Sequence, residues 1–239
     1  MTAGPVWATD GGLGAWMVDR TSGAMCRLGL HSIVEASVGT VPTGRGPVLY
    51  CANHVSWWDG FLVRRFHRRR RQGPLYTIML EGELRRRPAL RRAGAIGLAP
   101  GSLSTTRNVT RFLGESATDP RSSVCLFPQG RIWPSTRRPL GFEPGMRLFA
   151  GAMGDPWIVP VGIHLEPLNH FRPTAFVLAG EATQWNEGLS PEGVERAVEA
   201  LLDHLHSHIE QLGESAGNRP IALHETDMRS EHATDLPFS

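Results

Sequence analysis

Six short apolar runs rich in branched and aromatic residues recur along the chain, at 48–52, 75–80, 95–99, 123–127, 157–163 and 174–179. Most are separated by stretches with helical spacing or helix-capping residues. Parallel strands cannot be joined by a tight turn and need a crossover, usually a helix, of a dozen or more residues. The pattern therefore predicts an α/β fold, with a mostly parallel central sheet flanked by helices on both faces and wound right-handed. A chain of 239 residues, 41% hydrophobic and 20% charged, can build one such domain with a full core. In these sheets function gathers where strands end.

Helix signals fill the intervals. Residues 15–38 fit one or two short amphipathic helices, able either to pack on the core or to rest on a bilayer. Residues 61–71 and 81–92 form two basic helices, the second interrupted at Pro88. Ser102 caps a helix over 104–116, and 146–153 is a short one. Ser190 and Pro191 open a long helix with the stripe Val194, Val198, Leu201, Leu205, Ile209 and Leu212, closed by Gly213. Pro160 argues that 157–163 is an edge strand or carries a bulge. The loop 131–145 is long for a compact domain, as binding loops often are. The expected organisation is an N-terminal arm with amphipathic helices (1–45), a central domain (46–213) and a polar tail or strap (214–239).

All 25 basic residues are arginine. Eleven of them lie between Arg64 and Arg92 against Glu81 and Glu83, a local balance of +9 against −7 for the remainder. That asymmetry points to an anionic partner, phosphate or anionic lipid, on one face. No zinc-finger, homeodomain or RNA-recognition signature accompanies it, so nucleic acid is not expected. Cys26, Cys51 and Cys125 form no Cys-x-x-Cys pair and suit reduced, buried thiols. No apolar run reaches the length of a membrane span and no signal peptide is expected, which together place the chain in the cytoplasm. His204 and His208 share a face of the long helix, but no carboxylate or thiolate completes a set, so no metal is expected.

The chemistry-bearing pair is His54 and Asp59. Five residues of unbroken helix turn about 500°, so the two side chains would diverge by about 140°. They meet only if His54 lies in a loop leaving the strand 48–52 and Asp59 in the first turn of the next helix, with Ser56 as its cap. A carboxylate on one ring nitrogen fixes the tautomer and leaves the other nitrogen free to accept a proton from a hydroxyl. The spacing alone also fits a loop histidine beside a capping aspartate. No Gly-x-Ser-x-Gly elbow is present, so a nucleophile would come from a substrate, with Ser56 as the only local protein alternative.

Four blocks then stand in order. NHVSWWD (53–59) matches the asparagine-His-x4-Asp signature of the glycerolipid acyltransferases, the group that includes 1-acylglycerol-3-phosphate acyltransferase. GAIGLAPG (94–101) resembles their second block, FPQG (127–130) the start of their third, and IVPVGI (158–163) their fourth. The resemblance implies transfer of a fatty acyl group from a coenzyme A or acyl-carrier-protein thioester to a lipid hydroxyl, with His54 as general base and Asp59 as its partner. It implies no bound cofactor, only the thioester co-substrate, and a peripheral place on the inner, anionic face of the membrane. Asn53, Gln129, Gly130, Arg131, Arg137 and Arg138 are the substrate-binding candidates. Backbone N–H groups near 53–56 or Gly130 are the oxyanion candidates.

The chain departs from the family where acceptor phosphate is held: Pro100 stands where the second block commonly has an arginine, and Gln129, Arg131 and Ile132 stand where the third has glutamate, threonine and arginine. Arg131, Arg137 or Arg138 can supply the missing fork. Two further readings use the same residues: an acyl-thioester hydrolase, and a catalytically silent anionic-lipid-binding protein.

Overall fold

The computed structural model describes residues 8, 10–186 and 188–223. The chain runs α1 (Gly12–Gly29), β1 (Ile33–Ser37), β2 (Val48–Ala52), α2 (Asp59–Arg70), β3 (Leu75–Leu80), α3 (Glu81–Arg86), β4 (Ala95–Leu98), α4 (Leu103–Ser116), β5 (Ser123–Leu126), α5 (Gly145–Ala152), β6 (Trp157–Glu166), β7 (Thr174–Ala179), β8 (Thr183–Gln184) and α6 (Pro191–Leu212). Pro88 does interrupt the second basic segment, because Pro88–Arg92 is a separate 3-10 turn.

The strands form one sheet in the order β1-β7-β6-β2-β5-β3-β4, with β8 paired to β6. The five strands from β6 to β4 are mutually parallel, whereas β7 runs antiparallel to β6 and carries β1 parallel to itself. β2 is central and wholly buried. Its residues alternate faces: Leu49 and Cys51 pack with α4, α5 and α6, while Val48, Tyr50 and Ala52 pack with α1 and α2. Both faces are covered, as a parallel sheet requires.

Two expectations are corrected. Residues 33–37 are not helical. Ile33 packs on the α1/α2 side while Val34 and Ala36 pack on the α6 side, a period of two that pairing with β7 turns into an edge strand. The strand containing Pro160 is interior. Its antiparallel neighbour changes from β8, ending at Ile158, to β7, beginning at Val161, and Pro160 falls in the gap, so its missing N–H breaks no ladder. Its carbonyl accepts from Gly180 N at 2.9 Å. Of the two forms expected for the C-terminal segment, its first part has that of a strap: Gly213–Asn218 is a 3-10 turn, and Ala216 and Ile221 are buried against Phe176, Leu178, Leu201 and Leu205. Residues 224–239 lie outside the described residues.

The arginine run is largely a folding device. Arg64 is buried and bonds the carboxylates of Asp10 and Asp19 and the carbonyl of Ala93. Arg65, Arg69 and Arg70 converge on Glu35, and Arg68 on Asp10. Arg71 is buried and donates to the carbonyls of Pro42, Gly46 and Pro120. Arg85, Arg86 and Arg87 pair with Glu81 and Glu83 one turn away. The local excess of positive charge read along the sequence is thus offset in part by Asp10, Asp19, Glu35, Glu81 and Glu83, five carboxylates against eleven arginines. The three cysteines are free and buried; burial pushes the thiols of Cys51 and Cys125 up. Among the described residues no helix is long and apolar enough to cross a membrane.

Candidate active site

β2 ends at Ala52, and the next residue fixes the exit angle. Asn53 is fully buried; its amide donates to Ile163 O at 2.9 Å and accepts from Ile163 N at 2.7 Å. The side chain mimics one more rung between β2 and β6, which both satisfies its polar atoms and turns the chain toward solvent. This corrects the expectation that Asn53 touches substrate.

His54 then stands in the loop and Asp59 opens α2. His54 Nδ1 lies 2.7 Å from Asp59 Oδ2. The same oxygen accepts the main-chain N–H groups of Val55 and Ser56 at 2.7 and 2.9 Å, and the Ser56 hydroxyl donates to Oδ1 at 2.6 Å. Four donors hold a carboxylate that water does not reach. An acceptor of this kind demands the proton on Nδ1, so in the neutral ring Nε2 carries the lone pair. Nε2 has no partner among the described residues, and the ring, 23% exposed, stacks on Phe127 at 4.5 Å. Ser56 Oγ also accepts from Trp58 N at 3.1 Å, so this hydroxyl serves the turn.

The third block holds the backbone of the histidine itself. Gln129 Oε1 accepts from His54 N at 2.7 Å, and Trp133 N donates to His54 O at 2.8 Å. Gln129 Nε2 donates to Leu140 O at 3.0 Å. Gln129 is buried with both amide atoms used, so it ties two loops together and is not free for substrate, a second correction. A glutamate could make the first bond but not the second. Gly130 adopts a φ of 66° beside the Glu143 carboxylate, which suits glycine at the turn.

The loop beyond is clamped by an acidic ladder on α6. Glu195 accepts from the N–H groups of Gly141 and Phe142, Glu199 from that of Leu140, and Asp203 pairs with Arg138 at 2.6 Å. Four-residue spacing puts the three acids on one helix face. Arg138 also donates to the carbonyls of Ser135 and Arg137, so it is committed to the loop and corrects the expectation of a substrate contact. Arg131 and Arg137 differ: their guanidinium carbons sit 4.9 and 3.6 Å from the Trp133 ring centroid, and neither has a carboxylate partner among the described residues.

Sequence reasoning missed Ser135, His164 and Glu166. The Ser135 hydroxyl lies 2.7 Å from His164 Nδ1, and His164 Nε2 lies 3.1 Å from Glu166 Oε2. Burial lowers the pKa of His164, so the neutral ring accepts from Ser135 and pins the loop middle to β6. His164-x-Glu166 on one strand face was readable by period, but its partner 29 residues earlier was not. An open cleft of about 670 Å³, lined in part by Thr40, Arg45, Trp157 and Glu181, lies at the other end of the sheet and has no wall from His54.

Comparison with known proteins bears on the fold and the family. In fold the chain is similar to the crystal structure of the 1-acyl-sn-glycerophosphate (LPA) acyltransferase, PlsC, from Thermotoga maritima, with a TM-score of 0.61, 20% identity, and coverage of 80% of this chain and 79% of that one. No curated protein matches the sequence. A family model described as Acyltransferase matches residues 33–164, more than half of the chain, from the edge strand β1 through the His54 loop to β6. The chain belongs to the acyltransferase family.

Proposed function

We propose that the protein transfers a fatty acyl group from a coenzyme A or acyl-carrier-protein thioester to the hydroxyl of a lysophospholipid or related lipid. The observation that carries the reading is the 2.7 Å contact between His54 Nδ1 and the four-donor carboxylate of Asp59, which leaves Nε2 as an open acceptor at a strand end. Nε2 takes the acceptor's proton as its oxygen attacks the thioester carbonyl. The tetrahedral intermediate collapses with loss of the thiolate, which recovers the proton from the imidazolium. The N–H groups of His54, Val55, Ser56 and Gly130 are already bonded within the chain, which removes them as oxyanion donors. Those of Arg131 and Ile132 have no acceptor among the described residues and take that role.

Arg131 and Arg137, spread on Trp133 beside His54, supply an anion grip in place of the family's third-block arginine, which is Ile132 here. An acceptor carrying a phosphate fits that pair. The acceptor comes from an anionic bilayer met by α1. That helix buries the small residues Ala15, Ser22 and Cys26 and turns Leu13, Trp16, Met17 and Leu28 outward. Arg20 and Arg27 share the outer arc without carboxylate partners among the described residues, and each basic residue near an anionic surface contributes about 1 kcal/mol.

His54→Ala tests the reading. Transfer from a long-chain acyl-CoA to a lysophospholipid, followed by product mass, is expected to fall by about 10²- to 10⁴-fold with an unchanged melting curve. Undiminished turnover refutes the mechanism, and thiol release by the native protein without an acceptor makes it a hydrolase.

A further inference from the structure

The turn between β6 and β7 carries an apolar side chain that nothing among the described residues covers. Phe171 is fully exposed, the most exposed large hydrophobic residue described. Its position is not that of a loose loop. His31 N donates to Pro173 O at 2.8 Å, and the rings of His31 and His170 stack at 3.4 Å between centroids. Arg172 donates to the carbonyls of Arg27 and Leu28 at the end of α1, and Asn169 to Glu214 at 2.8 Å. Leu168 takes a left-handed φ of 52° while packing against the α6-side cluster. Every neighbour of Phe171 is thus tied down, and the benzyl group alone is left in water.

The register gives the direction. β2 ends opposite Val161, whereas β6 continues to Glu166 before the turn, an overhang of about 17 Å at roughly 3.3 Å per residue. The tip therefore projects from the sheet end at which His54 opens. Through Arg172 it also abuts the outward-facing Leu28 of α1. The segment 167–173 contains no acid, and the Arg172 guanidinium has no carboxylate partner among the described residues.

We infer that the β6–β7 tip is a second docking point on an anionic bilayer, with the Phe171 ring entering the headgroup boundary beside Arg172, and that with α1 it sets the tilt that turns the His54 end toward lipid. A rigid exposed aromatic beside a guanidinium matches an interface that is apolar below and anionic above. The inference rests on the bilayer-borne acceptor proposed above. It adds a residue outside α1 and outside the reacting groups.

The test is cosedimentation of the full chain with vesicles of phosphatidylglycerol and phosphatidylcholine in equal parts. Phe171→Ser is expected to weaken partitioning about tenfold, Phe171→Leu much less, and neither to change turnover of a short-chain, water-soluble acceptor. An environment-sensitive dye on Phe171→Cys is expected to shift to the blue on these vesicles. Native-like partitioning of Phe171→Ser, or a dye that stays in water, overturns the inference. So does native self-association without vesicles that Phe171→Ser abolishes, which would make the occupant a second copy. Lack of turnover by the native protein on any acceptor sinks the catalytic reading and leaves the vesicle result to stand or fall by itself.

Discussion

Asp59 shows how much of a catalytic pair is local wiring. Its carboxylate accepts from three of the five residues preceding it, so the loop that presents His54 is wound around the group that orients it. Gln129 does the same from a distance, accepting from His54 and donating to Leu140. Gln129→Glu, a change toward the family's usual residue, is therefore expected to harm this chain. It leaves Leu140 O without a donor and sets a buried carboxylate against it, at a cost of about 1–3 kcal/mol in urea midpoints. An unchanged midpoint would show that Leu140 O finds another donor.

His67, on the inner face of α2, gives a pH signature. It is wholly buried, accepting from the Tyr50 hydroxyl and donating to Gly73 O, each at 3.2 Å. Burial pulls its pKa down to about 4, assisted by the charges of Arg68 and Arg71 and opposed by the Gly73 bond. The folded value lies below the unfolded one, so the stability it contributes is present above about pH 6.5 and is lost as pH falls toward 4, in total about 3 kcal/mol. Chemical denaturation between pH 7.5 and 4 is expected to show this loss and His67→Gln to flatten it; equal pH dependence in both would remove His67 as the cause.

At the scale of elements, α6 is the back wall of the acceptor loop. Glu195, Glu199 and Asp203 hold residues 138–142 while Ser135 is held by His164, and the stretch so fixed carries Trp133, Arg137 and, a few residues earlier, Arg131. Glu195→Ala combined with Glu199→Ala is expected to raise the acceptor KM about tenfold or more, because three main-chain N–H groups lose charged acceptors, while the donor KM changes little. Steady-state kinetics with each substrate varied separately reads the split. A purely structural role would instead lower kcat for both in proportion to the folded fraction. α1 couples to the site through close packing: a Cβ on Gly29 would stand 2.3 Å from the Trp58 ring, so the helix end and the His54 loop share one contact.

For the whole molecule, the N-terminal segment is part of the domain rather than an appendage. β1 closes the sheet edge, Cys26 and Leu30 cover the α1/α2 core, and Asp10 and Asp19 neutralise buried Arg64. Deleting residues 1–32 strips both carboxylates from Arg64 and uncovers the α1/α2 core; loss of a buried ion pair alone costs about 3–5 kcal/mol, a large part of a domain's margin of about 5–15 kcal/mol. The truncated chain is expected to lose its cooperative thermal transition; a native-like melt would place the partners of Arg64 elsewhere.

The sequence by itself determined what depends on neighbours along the chain. The strands β2 to β7, the capped helices, the break at Pro88 and the bend that brings His54 to Asp59 follow from period, caps and spacing, because hydrogen bonds one turn apart are local. Tertiary structure decided what depends on partners far along the chain. It made a strand of 33–37, an interior place for Pro160, and a partly ion-paired folding element of the arginine run. It also committed Asn53, Gln129 and Arg138 to holding backbone while leaving Arg131 and Arg137 open. The physical reason is that a buried polar or charged group takes whichever partner the fold brings within about 3 Å, and the sequence does not announce partners as remote as Asp10, 54 residues from Arg64, Asp203, 65 from Arg138, or Ile163, 110 from Asn53.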